Sequence, residues 1–134
     1  MIAVDTSALV AVIEQEPEAA NIIVELTQSA SVISAASWVE LHKVMLNRYP
    51  ATGMAKIKAF MTALPPGHRP RIVALTARQA KAGIEAISRF GHGKYGLNYG
   101  DCMSYALAKT LDLPLLYKGQ DFTLTDLKKI EAVP

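Results

Sequence analysis

One cysteine, one tryptophan and the absence of any long apolar run set the first limits on this 134-residue chain. Cys102 has no partner for an internal disulfide, which excludes the disulfide-stapled scaffolds and fits a reducing compartment. No stretch approaches the ~20 consecutive apolar residues of a membrane span. The start, Met1 to Val4, has no basic region and its apolar run breaks at Asp5, so a secretory leader is not expected and a soluble, cytoplasmic protein is. An excess of charge is missing too: the formal net charge is only +2, a mild preference for anionic partners and no proof of nucleic-acid binding. With 51% hydrophobic against 19% charged residues the chain is too apolar to be disordered. His42, His68 and His92 lack zinc spacing, and with a single cysteine they make no structural zinc site. At this length one domain, residues 1–134, is expected, burying roughly two thirds of the surface its unfolded chain exposes.

What is present is an alternation of strands and helices. Ile2 to Val4 is a short apolar run that ends at Asp5-Thr6-Ser7, and Ala8 to Ile13 continues as a helix that stops near Pro17. A second helix is expected from about Glu18 to Thr27, then a buried strand from Ser31 to Ser34. Ser34 to Ser37 starts a helix carrying Trp38, Leu41 and Met45 at helical spacing, ended by Tyr49-Pro50 because a residue before proline is pushed out of the helical region. Another helix spans about Ala51 to Leu64. After the Pro65-Pro66-Gly67 breaker, Arg71 to Leu75 reads as a strand and Thr76 caps a helix to about Phe90. Gly91 to Gly100 is a glycine-rich loop, Asp101 opens an apolar helix to Leu111, and Pro114 introduces the strand Leu115 to Tyr117, with one more short strand in the tail. This order predicts an α/β fold with a central parallel sheet of four to five strands, flanked by helices on both faces.

Four acidic residues stand out against that frame. In open parallel sheets, functional groups collect beyond the carboxyl ends of the strands, where Asp5 and Asp121 fall. Asp101 sits at a helix start, which also has a purely structural explanation, since a carboxylate there is attracted to the positive end of the helix dipole. Glu40 lies among Trp38, Val39 and Leu41, so its carboxylate is expected to be partly buried and in need of a partner. Lys43, one turn on, offers the structural alternative, an ion pair worth ~0.2–0.5 kcal/mol. Carboxylates crowded together repel and take up protons unless a cation neutralises them, and an all-oxygen donor set suits Mg²⁺ or Mn²⁺.

Four segments, in order and spanning essentially the full length, carry a resemblance: Val4-Asp5-Thr6-Ser7-Ala8-Leu9, Trp38-Val39-Glu40, Leu97-Asn98-Tyr99-Gly100-Asp101-Cys102, and Leu116-Tyr117-Lys118-Gly119-Gln120-Asp121-Phe122 followed by Thr125-Asp126. The chain resembles the PIN-domain ribonucleases, and within them the VapC toxins of prokaryotic toxin–antitoxin pairs. The resemblance implies a PIN-like fold and a metal-dependent endoribonuclease in which Asp5, Glu40 and Asp101 are the central metal-binding acids and Asp121 the fourth. It implies Ser7 as a supporting polar residue, a homodimer, and a VapB-like antitoxin that wraps the toxin and reaches its active-site groove.

RNA reaching an acidic site calls for positive charge and stacking surfaces around the rim. Lys43, Lys94, Tyr95 and Lys118 are the substrate-binding candidates, with Arg48, Arg89, His92 and Tyr99 as further rim residues. The Gly91, Gly93 and Gly96 spacing satisfies a bare GxGxxG pattern but follows a helix, whereas the dinucleotide fingerprint follows a strand; Gly93-Lys94 is no P-loop either. That loop is expected to be a flap beside the active site. Cys102 heads an apolar stretch and is expected to be buried and inert. The apolar face of Met45, Ile57, Phe60, Met61 and Leu64 is either ordinary core or surplus for a partner. Rival classes are a phosphate-accepting receiver domain, which wants paired acids near the first strand, a phosphatase, which wants an aspartate where Ser7 stands, and a non-enzymatic RNA-binding domain.

Overall fold

The computed structural model of the chain describes all 134 residues. Its centre is a five-stranded, all-parallel sheet in the order β3-β2-β1-β4-β5: β1 is Ile2–Val4, β2 Ser31–Ser34, β3 Arg71–Val73, β4 Leu115–Tyr117 and β5 Lys129–Glu131. The helices are α1 Thr6–Ile13, α2 Ala19–Gln28, α3 Ala35–Arg48, α4 Gly53–Ala63, α5 Ala77–Phe90 and α6 Tyr99–Leu111, with one 3₁₀ turn at Pro66–His68. The α/β class, the parallel sheet and the tail strand agree with the sequence.

The pleat of β1 explains how two cores form. Successive side chains of a strand point to opposite faces. Ile2 and Val4 join Leu9, Ile22, Leu26, Leu41 and Met45 under α1 to α4, while Ala3 joins Val32, Leu107 and Leu115 under α5 and α6. The central strands β1, β2 and β4 are buried along their whole length, the pattern of a sheet covered on both sides. Met45, Ile57, Phe60 and Leu64 are buried in the first of these cores, so the face suspected of being surplus is mostly internal.

Helix starts are set by side-chain caps that accept hydrogen bonds from otherwise unpaired backbone donors. Asp5 caps α1, Ser34 caps α3 and Thr76 caps α5. The late helix departs from expectation: Asn98 caps it, Tyr99 is its first residue, and Asp101 lies in its first turn rather than opening it. The first helix likewise begins earlier than Ala8, at Thr6, because Asp5 serves as its cap.

Strand order reverses between β1 and β4, the position at which open α/β sheets leave a crevice beyond the strand ends. Asp5 follows β1 directly and Asp121 follows β4, which brings residues more than a hundred positions apart to the same edge.

Candidate active site

A cleft of about 330 Å³ opens at that edge, and Asp5, Glu40, Asp101 and Asp121 all line it, together with Ser7, Asn98 and Lys118. Each acid arrives on a different element: the cap of α1, the middle of α3, the first turn of α6 and the turn after β4. No three of these side chains close on one point tightly enough to enclose a bare cation; the arrangement is an open acidic trough.

The carboxylates are held by hydrogen bonds from behind. Asp5 Oδ2 accepts from the Ser7 backbone N–H at 2.9 Å, and Asp5 Oδ1 accepts from the Ser104 hydroxyl at 2.5 Å. Ser37 Oγ lies 3.2 Å from Ser104 Oγ, and because the Ser104 proton is committed to Asp5, Ser37 is the donor of that second bond. Both serines are buried, and chains of this kind polarise and strengthen one another. Asp101 is tied by a reciprocal capping box: Asn98 N–H donates to Asp101 Oδ2 at 3.0 Å, and Asp101 N–H donates to Asn98 Oδ1 at 2.8 Å. Ser7 Oγ accepts from the Lys118 N–H at 3.1 Å, fastening the start of α1 to the end of β4. Glu40 rests against Gly100, where a methyl group in place of hydrogen would collide with its carboxylate.

Asp121 is itself exposed, yet its turn is anchored on both sides. Phe122 is buried against Tyr117, and Thr125 Oγ1 donates to the Phe122 carbonyl at 2.7 Å. Asp126 is gripped by the Tyr105 hydroxyl at 2.7 Å and Lys109 at 2.8 Å. Burial alone would raise the Asp126 carboxyl, but the bonds from Lys109 and Tyr105 outweigh it and hold the group down at about 2.

The electrostatics of the trough run the other way. Burial pushes Asp101 up to about 7, the backbone bond from Asn98 opposes this, and the charges of Asp5, Asp121 and Glu40 add to it. Glu40 is raised for the same reasons, burial first and the Asp5 charge second, with Lys43 opposing. Lys43 makes no ion pair with Glu40 within 4 Å, so the structural alternative for that glutamate is not realised.

The rim candidates separate. Lys118 lines the trough but is paired with Glu16 and, at 3.3 Å, with Glu18. Arg48 also lines it and faces Glu14 at 3.6 Å. Lys43 lies in an adjoining depression with Tyr99. Arg89 is drawn away to Asp126. Lys94, over the Tyr95 ring, stands with Tyr95 and His92 in the 91–97 part of the glycine-rich loop, which does not line the trough; of the 91–100 stretch expected beside the active site, Asn98 lines the trough and Tyr99 and Gly100 wall the adjoining depression. Gly93 takes a left-handed φ of 83° in a turn that follows helix α5, not a strand as the dinucleotide fingerprint does. Cys102 is fully buried and its thiol is pushed up to about 11, chiefly by burial, which fits the inert thiol expected.

The family profile of the PIN domain matches residues 2–128. This chain belongs to the PIN-domain family. It is 39% identical over 137 residues to a "Ribonuclease VapC" of Mycolicibacterium smegmatis, covering 95% of this chain and 98% of that protein. It is 38% identical over 136 residues to "Ribonuclease VapC30" of Mycobacterium tuberculosis, covering 98% of each. Among solved structures, VapBC2 from Rickettsia felis bound to a promoter DNA fragment superposes with a TM-score of 0.74 at 16% identity over 98% of each chain. The Mycobacterium tuberculosis VapC20 structure, a sarcin–ricin loop cleaving toxin, superposes with a TM-score of 0.71 at 17% identity over 95% of this chain and 96% of that one. At those identities the structural likeness speaks for the PIN fold.

Asn98, which lines the PIN-domain trough, and Ser37 and Ser104, which stand behind Asp5, were given no site role from the sequence. A signal existed for each. Asn98-x-x-Asp101 is a capping-box spacing, Ser37 precedes Glu40 by three residues, and Ser104 follows Asp101 by three, so helical periodicity puts each serine on the face of its acid.

Two expectations follow. Asp101 ionises in the folded chain above the value of about 3.9 that it has unfolded. Between about pH 4 and pH 7 the folded metal-free protein therefore holds a proton that the unfolded chain has lost, and stability falls as pH rises through that window. Asp126, whose pKa is lowered, contributes stability that is lost only below about pH 4 and leaves the window untouched. Urea unfolding across that range, with Asp101→Asn flattening the slope, is the check; stability that climbs with pH there would contradict it. Ser104→Ala removes the donor to Asp5 and is expected to cost ~1–3 kcal/mol in the same assay, with Ser104→Thr recovering part of the loss.

Proposed function

We propose that the chain is a single PIN domain, residues 1–134, acting as a divalent-metal-dependent endoribonuclease, the toxin of a toxin–antitoxin pair. The observation that carries this reading is the convergence of Asp5, Glu40, Asp101 and Asp121 from four separate elements on one trough, where burial, with the charges of the other three acids adding to it, holds Asp101 at about 7. Full-length similarity to proteins named as VapC ribonucleases supports the same reading.

The donor set fits a hard cation. Every acidic side chain in the trough offers oxygen alone, Asp101, whose ionisation burial and the neighbouring charges oppose, is relieved by added positive charge, and Mg²⁺ or Mn²⁺ keeps several waters and takes few carboxylates directly. Asp5, Glu40 and Asp101 are the residues that would hold it, with Asp121 at the exposed edge. When bound, such an ion polarises a phosphodiester and makes a neighbouring water nucleophilic near neutral pH. The chain's own contribution is orientation. Ser7 N–H and Ser104 fix Asp5, Asn98 N–H fixes one oxygen of Asp101, and Gly100 lets Glu40 approach the start of α6. Hydrolysis by activated water would leave a 5′-phosphate and a 3′-hydroxyl.

Partner assignments belong to the same reading. Solved neighbours include a toxin–antitoxin complex from Klebsiella pneumoniae and DNA-bound VapBC from Salmonella typhimurium, which supports a VapB-like antitoxin as partner here. Exposed apolar side chains on α5, Ile84 and Ile87, offer surface for a homodimer. No helix is long and apolar enough to cross a membrane; the cytoplasm is the setting proposed.

Purified protein incubated with total cellular RNA is expected to give discrete cuts with Mg²⁺ or Mn²⁺, none with EDTA, and none from Asp5→Asn or Asp101→Asn, a loss of ~100-fold or more. Cleavage that persists in EDTA, or full activity in either variant, would sink the metal assignment. RNA affinity independent of metal and without product would favour the non-enzymatic RNA-binding reading.

A further inference from the structure

The trough is not symmetric in charge. Three cations border it or the depression beside it: Arg48, Lys118 and Lys43. Arg48 faces Glu14, and Lys118 is paired with Glu16 and Glu18, so both are neutralised by the α1–α2 corner. Lys43 alone has no carboxylate within ion-pairing distance. It lines, from α3, a depression of about 410 Å³ that shares Glu40 and Asn98 with the trough and has Val39, Tyr99 and Met103 among its walls. Tyr99 is 76% exposed and Val39 68% exposed, large side chains left in water one or two positions from an acid of the site. Polyanion attraction and a surface for stacking therefore coincide on the α3–α6 side of the acids and are missing on the other.

We propose that this depression is a nucleotide subsite: the base adjoining the cleaved phosphodiester stacks on Tyr99 beside Val39, and Lys43 contacts the neighbouring backbone phosphate. The proposal rests on the ribonuclease reading above and assigns the side chains that hold the nucleotide; a base inside a duplex is already stacked and cannot enter. Stacking on an aromatic ring tolerates any base, so the subsite selects for single-strandedness before sequence. Lys43 acts as a point charge for phosphate and sets salt dependence, with no contribution to base choice.

The test is fluorescence anisotropy in Mg²⁺ with a labelled short single-stranded RNA of mixed sequence, using the Asp5→Asn chain to prevent cleavage, with and without further substitutions. Tyr99→Ala is expected to weaken binding about 5- to 100-fold, Tyr99→Phe to stay within about 2-fold, and Lys43→Ala to weaken it and reduce the salt slope by about one. Single-stranded RNA should outcompete a duplex of the same sequence in the parent and lose that advantage in Tyr99→Ala. Unchanged affinity in Tyr99→Ala, no binding by the parent, or a changed oligomeric state by light scattering with RNA affinity intact would each overturn the subsite, the last marking the patch as a contact between copies. Metal-dependent cleavage of total RNA by the unsubstituted protein separates the two failures. If it cleaves and Tyr99→Ala binds normally, only the subsite falls; if it does not cleave, the ribonuclease reading falls with it.

Discussion

Like charges confined in a half-buried trough are the constraint on which the rest of this molecule turns. Four carboxylates share one edge of the sheet; burial makes Asp101 and Glu40 harder to ionise, and the charges of the neighbouring acids add to it in a medium that screens less than water. Left alone, side chains in that position would swing apart or protonate. The surrounding structure keeps them in place: a backbone N–H and a buried serine pair behind Asp5, a capping box around Asp101, and a notch at Gly100 for Glu40. These contacts fix orientation without supplying a full positive charge. Neutralisation is left to something that arrives from solution.

The fold makes such confinement cheap to build. A parallel sheet whose strand order reverses between β1 and β4 leaves a crevice without any special loop, and the two flanking strands deliver Asp5 and Asp121 to it. Two cores on opposite faces of β1 give the crevice rigid walls. The exposed contributor, the turn that bears Asp121, is clamped by Phe122 in the core and by the bonds of Asp126 to Tyr105 and Lys109. The interactions with least tolerance for error thus lie in and around the trough, while the edge strands β3 and β5 are largely exposed.

Much of this was legible in the sequence because it depends on local rules. Short apolar runs ending in Asp5 or in Lys118-Gly119-Gln120-Asp121 mark strand ends, and the prolines at 50, 65, 66, 70 and 114 punctuate the elements, so strand count and parallel order could be anticipated. The acids could be named because two fall at strand ends and Glu40, flanked by Trp38, Val39 and Leu41, needs a partner for a partly buried carboxylate. What stayed hidden depends on tertiary approach. Ser37 and Ser104 look like ordinary small polar residues until α3 and α6 are packed together. Lys118 reads as a free rim cation until the α1–α2 corner folds Glu16 and Glu18 onto it. Of the glycine-rich stretch 91–100 only the end, from Asn98, borders the site, because glycines signal a turn without saying which part of it reaches the acids.

The claim that cation charge relieves carboxylate repulsion is tested most directly by counting protons as Mn²⁺ is titrated into the metal-free protein at about pH 6 and about pH 8. With Asp101 ionising at about 7, binding should release close to one proton per ion at the lower pH and almost none at the higher. Binding that releases the same number at both, or no binding at either, would contradict it.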